Sequence, residues 1–165
     1  MTERFTITLD ELDRGCFNEK GLYVESDLVA KLRGRCIVTN GCFDILHPGH
    51  LSLLATLDTI AYKQCLRPIV ALNSDVSVRK LKGEQRPAVP QASRAALLNA
   101  LKWPFTVILY DEETPRRLMD LLQPVAVLKG AEYPASSVVR WSGSQVISVD
   151  MVPNWSTTGI LGDTR

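Results

Sequence analysis

A chain of 165 residues suits one compact domain, and its 45% apolar and 22% charged residues can fill one core. That composition excludes intrinsic disorder, a collagen-like repeat and a disulfide-dense miniprotein as descriptions of the whole. A formal charge of +1 removes any global electrostatic argument for nucleic acid or an anionic membrane, although a local basic cluster can still take phosphate. The cysteines, Cys16, Cys36, Cys42 and Cys65, form no C-x-x-C pair, which argues against a zinc ribbon or a thioredoxin-like motif. The first residues lack the apolar core of a secretory signal, and no run approaches the roughly 18 apolar residues of a membrane helix. The expectation is a reduced, cytoplasmic protein that neither spans a membrane nor binds nucleic acid.

Residues 1–34 are polar and weakly patterned, and are expected to form an N-terminal arm lying on the domain or on a second subunit. Within them Ser26-Asp27 ahead of Leu28, Val29 and Leu32 predicts a short capped helix from Asp27 to Arg33. From Arg35 to the end, strand and helix alternate. Cys36-Ile37-Val38-Thr39 reads as a buried strand stopped by Asn40-Gly41. After Pro48-Gly49, Leu51, Leu53, Leu54 and Leu57 mark one face of a helix. Ile69-Val70-Ala71-Leu72 is the second strand, closed by Asn73-Ser74-Asp75, and a basic loop is expected from Arg79 to Arg86. A helix follows over Ala92 to Leu101, then a third strand at Val107-Ile108-Leu109-Tyr110. Thr114-Pro115 opens a helix with Leu118, Met119, Leu121 and Leu122 as its buried stripe. Val125–Leu128 and Val146–Val149 complete five strands. Continuous apolar strands alternating with helices predict an α/β, Rossmann-like fold: a five-stranded parallel sheet with helices on both faces. Ligands of such sheets sit beyond the carboxyl ends of the strands. Thr39-Asn40, Asn73-Ser74-Asp75 and Lys129-Gly130 all fall there.

The two histidines of the chain stand three apart in His47-Pro48-Gly49-His50, between a strand end and a helix start. Gly49 permits close approach of a ligand to the backbone, and a helix start offers free N–H groups to phosphate. Two imidazoles above it make a phosphate clamp; the other readings are half a metal site or plain structural histidines. A closed zinc site needs about four ligands, and only Cys42 and Asp44 lie near. Lys82 and Arg86, with Arg79 and Lys80, form either a flap over phosphates or a solvated charge run. Arg94 either lies on a helix surface or reaches an anion. Ser156-Thr157-Thr158 reads as a helix start able to hold pyrophosphate, or as an ordinary N-cap. Neither a Walker loop nor G-x-G-x-x-G is present, so kinase and dehydrogenase readings lack their phosphate grips.

The run Thr39-Asn40-Gly41-Cys42-Phe43-Asp44-Ile45-Leu46-His47-Pro48-Gly49-His50 resembles the signature (HxGH) loop of the cytidylyltransferase-like nucleotidyltransferases. The longer series resembles their ADP-heptose synthase branch: Asn73-Ser74-Asp75, Leu81-Lys82-Gly83 with Arg86-Pro87, Arg94, Glu113-Thr114-Pro115, Leu128-Lys129-Gly130, Glu132-Tyr133 and Ser156-Thr157-Thr158. It spans about Ile37 to Leu161 and omits the arm. Two departures stand out. The branch's K-G-G-D-Y reads Lys129-Gly130-Ala131-Glu132-Tyr133, and its acidic, glycine-containing stretch before Ser-Thr-Thr reads Met151-Val152-Pro153-Asn154-Trp155.

The resemblance implies AMP transfer from ATP to D-glycero-D-manno-heptose 1-phosphate, with Mg²⁺ as cofactor, for lipopolysaccharide core assembly by a homodimer. His47, His50 and Lys82 become catalytic. Thr39, Asn40, Gly41, Phe43, Gly49, Arg94, Lys129, Gly130, Glu132, Ser156, Thr157 and Thr158 are assigned to the nucleotide, and Asp44, Asn73, Asp75 and Arg86 to the acceptor. Asp44 and Asp75 could equally position loops or help hold Mg²⁺, and Cys42 is read as packing. The alternatives are a relative using CTP on another phosphorylated alcohol or sugar, and a non-catalytic nucleotide-binding protein.

Overall fold

The computed structural model describes residues 6–14, 16–17, 23–24, 27–150, 152–153 and 155–162. Thr6–Thr8 form β1, Leu9–Asp13 α1, Cys16–Phe17 β2, Tyr23–Val24 β3 and Asp27–Leu32 α2. Cys36–Gly41 form β4, Pro48–Lys63 α3, Arg67–Asn73 β5, Asp75–Lys82 α4 and Gln91–Ala100 α5. Thr106–Tyr110 form β6, Arg116–Leu122 α6, Ala126–Gly130 β7, Gln145–Val149 β8 and Thr157–Leu161 α7. The expected cap at Ser26, and Met151 and Asn154 of the departing stretch, lie outside the described residues.

The main sheet has the order β1-β6-β5-β4-β7-β8 with every neighbouring pair parallel. It holds six strands rather than the expected five. The sixth is β1, three residues of the N-terminal segment that pair with Val107, Ile108 and Leu109 of β6. A three-residue strand too short to show alternation is recognisable only by its partner. The adjoining α1 is closed by a capping box: Glu11 N–H donates to Thr8 Oγ1 at 3.2 Å, and Thr8 N–H donates to the Glu11 carboxylate at 2.8 Å. Its Leu9 and Leu12 are buried against the domain.

Alternation along the strands sends side chains to both faces, and each face has its own core. Cys36, Val38, Ile69, Ala71, Ile108 and Val127 meet α1, α2 and α6 through Leu9, Leu12, Val29, Leu32, Leu118, Met119 and Leu122. Ile37, Val70, Leu72, Val107 and Leu128 meet α3 and α5 through Leu53, Leu54, Leu57, Ala95 and Leu98. Burial on both faces explains why these strands read as unbroken apolar runs.

The basic loop expected at Arg79–Arg86 is corrected. Arg79, Lys80 and Lys82 belong to the last turn of α4, and the loop begins at Gly83. Ser74 caps that helix, its Oγ accepting from Ser77 N–H at 3.2 Å, and the cations sit at the negative end of the helix dipole. Gly83 ends it with φ +95°, a left-handed backbone that favours glycine.

The chain runs from β4 outward to β5 and β6, then crosses back to β7 on the other side of β4. The β4/β7 boundary is therefore the switch point at which a crevice opens beyond the carboxyl ends of the strands.

Candidate active site

The loop after β4 is tightly built. Phe43 takes φ +45°, a backbone that costs a bulky residue energy and persists only where packing enforces it. Here the ring is buried and tilted against His50, with centroids 5.0 Å apart. A Cβ at Gly41 would meet that ring at 3.3 Å, so the glycine leaves Phe43 its place. Further on, α3 starts with Pro48 at its first turn and His47 as N-cap. His47 Nδ1 accepts from His50 N–H at 3.4 Å, a long capping bond. An accepting Nδ1 puts the proton of the neutral ring on Nε2, which is left to donate. The two imidazoles stack with centroids 3.8 Å apart.

Burial lowers the pKa of His47, and burial together with neighbouring His47 lowers that of His50 to about 4. Both rings are therefore neutral donors at pH 7 rather than cations. His50 Nδ1 is buried, and a hydrogen bond with the backbone of Ile45 works against the lowering of the ring's pKa.

Behind this loop lies a knot of charge. Arg94 is 1% exposed. Its guanidinium donates to the carbonyls of Val89, Cys42 and Asn73 at 2.8, 2.5 and 2.7 Å and to Asp75 Oδ1 at 2.7 Å. Asp75 also accepts from Gln91 N–H at 2.8 Å. Asp44 accepts from the amides of Ala88 and Val89 at 3.0 and 2.8 Å and pairs with Arg86 at 2.6 Å. Burial opposes the charge on Asp44, but those amides and that guanidinium hold its carboxyl below the ordinary range. Arg94, Asp44 and Asp75 thus fasten the β4 loop, the end of β5 and the loop before α5 to one another.

On the other side of the switch point, Lys129 Nζ donates to the Asn40 carbonyl at 2.7 Å and lies 5.1 Å from the centroid of the Tyr133 ring. Burial lowers its pKa to about 8, against the pull of Cys42 and Glu132. Thr39 ties the same two strands together, its Oγ1 donating to the Leu128 carbonyl at 3.1 Å. Ser156 caps α7, its Oγ accepting from Gly159 N–H at 3.0 Å.

A cavity of about 430 Å³ opens at this junction. It collects most of the sequence-assigned residues: Asn40, Gly41, Phe43, His47, Gly49, His50, Asn73, Lys82, Arg86, Lys129, Gly130, Glu132 and Ser156–Thr158. Four lie behind its wall: Thr39, Asp44, Asp75 and Arg94, each committed to protein partners. Sequence reasoning did not assign Leu53, Leu81, Tyr110, Glu113, Tyr133 or Trp155 to the site, nor Cys42, which had been read as packing; all line the cavity. Glu113 and Tyr133 were within reach, since both fall in the matched motifs. Tyr110 and Leu53 look like core from their spacing. Trp155 is 45% exposed, whereas Ala131 is not among the lining residues. A second cleft of about 350 Å³ beside β1 and β6 holds neither histidine, so the phosphate chemistry belongs to the first.

Among the described residues no group of three or more His, Cys, Asp or Glu is placed to hold a metal. Asp44 and Asp75, the carboxylates considered for Mg²⁺, are already taken up by amides and guanidinium groups. The described side chains do not form a Mg²⁺ cage. No described helix is long and apolar enough to cross a membrane.

Comparison with known proteins agrees with this fold. The bifunctional protein HldE of Mesorhizobium japonicum is 38% identical over 96% of this chain and 35% of its own length, so the likeness reaches into the N-terminal segment. Those of Rhodopseudomonas palustris and Gluconacetobacter diazotrophicus are 44% and 43% identical, each over 77% of this chain and 26% of their own. The chain thus spans a quarter to about a third of the length of these curated relatives. Among solved structures, a lipopolysaccharide core biosynthesis protein from Thermoplasma volcanium superposes with a TM-score of 0.53 over 70% of this chain and 96% of its own. A macrolide-efflux protein from Streptococcus pneumoniae does so with 0.58 over 98% of this chain and 56% of its own. Both are 18% identical, which shows a shared fold. The model of the cytidylyltransferase-like family matches residues 38–153, the span that carries the parallel sheet from β4 to β8 and the paired histidines, and the chain belongs to that family.

Proposed function

We propose that the chain is a nucleotidyltransferase that moves AMP from ATP to D-glycero-D-manno-heptose 1-phosphate, giving ADP-heptose and pyrophosphate. The observation that carries the reading is the cavity at the switch point, in which two neutral imidazoles, Lys82, Arg86, Lys129 and the α7 start converge. The sequence motifs of the heptose branch and the likeness to the HldE proteins support the choice of sugar.

A phosphate oxygen of the sugar phosphate attacks the α-phosphorus of ATP, the bond from that phosphorus to the bridging oxygen breaks, and pyrophosphate leaves with the electron pair. The nucleophile is already an anion at neutral pH, so the site needs no general base. Its task is alignment and neutralisation of charge on the α-phosphate and the departing pyrophosphate. His47 Nε2–H and the His50 imidazole donate to phosphate oxygens, and Lys82 and Lys129 supply positive charge. Mg²⁺, for which the described side chains form no cage, would supply further neutralisation of phosphate charge if it accompanied ATP. The reaction is set in the cytoplasm and in a homodimer, the latter read directly by light scattering.

Pyrophosphate release tests the function: ATP or CTP, each with heptose 1-phosphate, mannose 1-phosphate or glycerol 3-phosphate. ATP with heptose 1-phosphate is expected to dominate, because a site built to hydrogen-bond hydroxyls rejects an analogue that lacks one. Equal kcat/KM for mannose 1-phosphate removes the heptose assignment. Preference for CTP makes the chain a cytidylyltransferase, and nucleotide binding without release makes it a non-catalytic binder.

A further inference from the structure

Two carboxylates line the cavity beside its cations, donors and apolar side chains: Glu132 on the β7 side and Glu113 just beyond β6. A carboxylate facing two phosphorylated substrates repels them unless it meets something other than phosphate. Glu132 lies near Lys129. Glu113 is exposed and follows β6, three strands along the sheet from the β7 that carries Lys129.

The backbone carrying Glu113 is anchored. Asn73 Nδ2 donates to Ser77 Oγ at 2.8 Å, and Ser77 Oγ donates to the carbonyl of Glu112 at 2.6 Å. The Glu112 carboxylate is in turn 3.2 Å from Arg117. Tyr110, the last residue of β6, closes the floor, its hydroxyl accepting from Asn40 Nδ2 at 3.3 Å. Burial keeps that phenol protonated. A polar rail therefore runs from β4, which leads to the histidines, across β5 to the end of β6. Strands lie about 4.8 Å apart, so β6 is roughly 10 Å from β4. That distance suits the far hydroxyls of a sugar whose 1-phosphate sits at the histidines.

We infer that Glu113 is the specificity-determining residue for the acceptor, its carboxylate accepting hydrogen bonds from a diol on the side of the sugar remote from the phosphate. The inference rests on the sugar-phosphate acceptor of the proposed function. Two oxygens of one ionised carboxylate can take both hydroxyls of a diol, and hydrogen bonds to a charged group are the stronger kind.

The test compares the full chain with Glu113→Gln and Glu113→Asp in pyrophosphate release, varying sugar phosphate, ATP and Mg²⁺ in turn. Glu113→Gln is expected to raise KM for heptose 1-phosphate roughly 10- to 100-fold, the range of a lost charge-assisted hydrogen bond. KM for ATP and the Mg²⁺ half-saturation stay within about twofold, kcat changes little, and Glu113→Asp falls between. An unchanged sugar KM places the carboxylate in solvent and overturns the inference. So does a shifted Mg²⁺ requirement, which would make Glu113 a partner of the metal–nucleotide. The wild-type row reports separately on the proposed function: if no sugar 1-phosphate is turned over, that reading fails first.

Discussion

The paired histidines matter as neutral groups. Because His50 titrates at about 4 and His47 is also lowered, neither ring changes charge near pH 7, and their contribution is donation from fixed positions. Losing one such donor costs about 2.7–4 kcal/mol of transition-state stabilisation. His50→Ala is therefore expected to lower kcat/KM by about two to three orders of magnitude. His47 has a second duty as the cap of α3, so His47→Ser is the cleaner variant: the serine keeps a capping oxygen but loses the ring donor. Its melting temperature should stay close to the parent's while turnover falls as for His50→Ala. Near-normal turnover in either removes the clamp.

Lys129 brings a pH dependence. Burial lowers its pKa to about 8 from an ordinary 10.5, so it is charged below pH 8 and neutral above. The profile of kcat/KM for ATP, which reports on the free enzyme, should bend downward near pH 8. Lys129→Gln should be slower at pH 7 and lack that bend. The sign for stability is opposite: between pH 8 and 10.5 the unfolded chain holds more protons than the fold, so this group's contribution to stability rises with pH across that window.

At the scale of elements, α4 separates positioned charge from solvated charge. Lys82 lines the cavity and Arg79 does not. Lys82→Ala should lose activity with an unchanged denaturation midpoint, and Arg79→Ala should change neither; equal losses of activity in both would make the helix end a diffuse field. Arg94 behaves in reverse. It does not itself line the cavity, but from behind it satisfies the carbonyls of Val89, Cys42 and Asn73 together with Asp75. Arg94→Met leaves those acceptors unpaired, and a loss of about 3 kcal/mol of stability is expected from urea titration. The sequence leaves Arg94 divided between helix surface and anion contact. Its tie to the β4 loop spans 52 residues, and no local pattern encodes such a bond.

Across the whole molecule, legibility followed how locally each feature is encoded. The four inner strands, β4 to β7, announce themselves as apolar runs because both faces are buried, the edge strand β8 by its Val146-Ile147-Ser148-Val149 run, and α3 by leucines at helical spacing. The charged end of α4 read as a loop because only Val76, Val78 and Leu81 offer apolar spacing, and its stop depends on the backbone at Gly83. Polar cavity residues at strand ends are legible for the same local reason, whereas Tyr110, which ends β6 inside an apolar run, and Leu53 reach the site through tertiary packing. The least legible part was β1 with α1. Leu9 and Leu12 are 2% and 1% exposed. Arg117 of α6 reaches Asp10 and Asp13 at 2.7 and 2.6 Å, and those carboxylates hold its charge firmly. Removing residues 1–14 withdraws two buried leucines, about 1.5–3 kcal/mol each, and bares the edge of β6. The truncated chain should lose roughly 3–6 kcal/mol of stability and associate through that edge at raised concentration. None of the described residues of this segment lines the cavity, so KM for ATP in the remaining folded fraction should hold. Urea titration with light scattering reads both effects, and a midpoint equal to the parent's would make the segment an ornament of the sheet rather than part of its core.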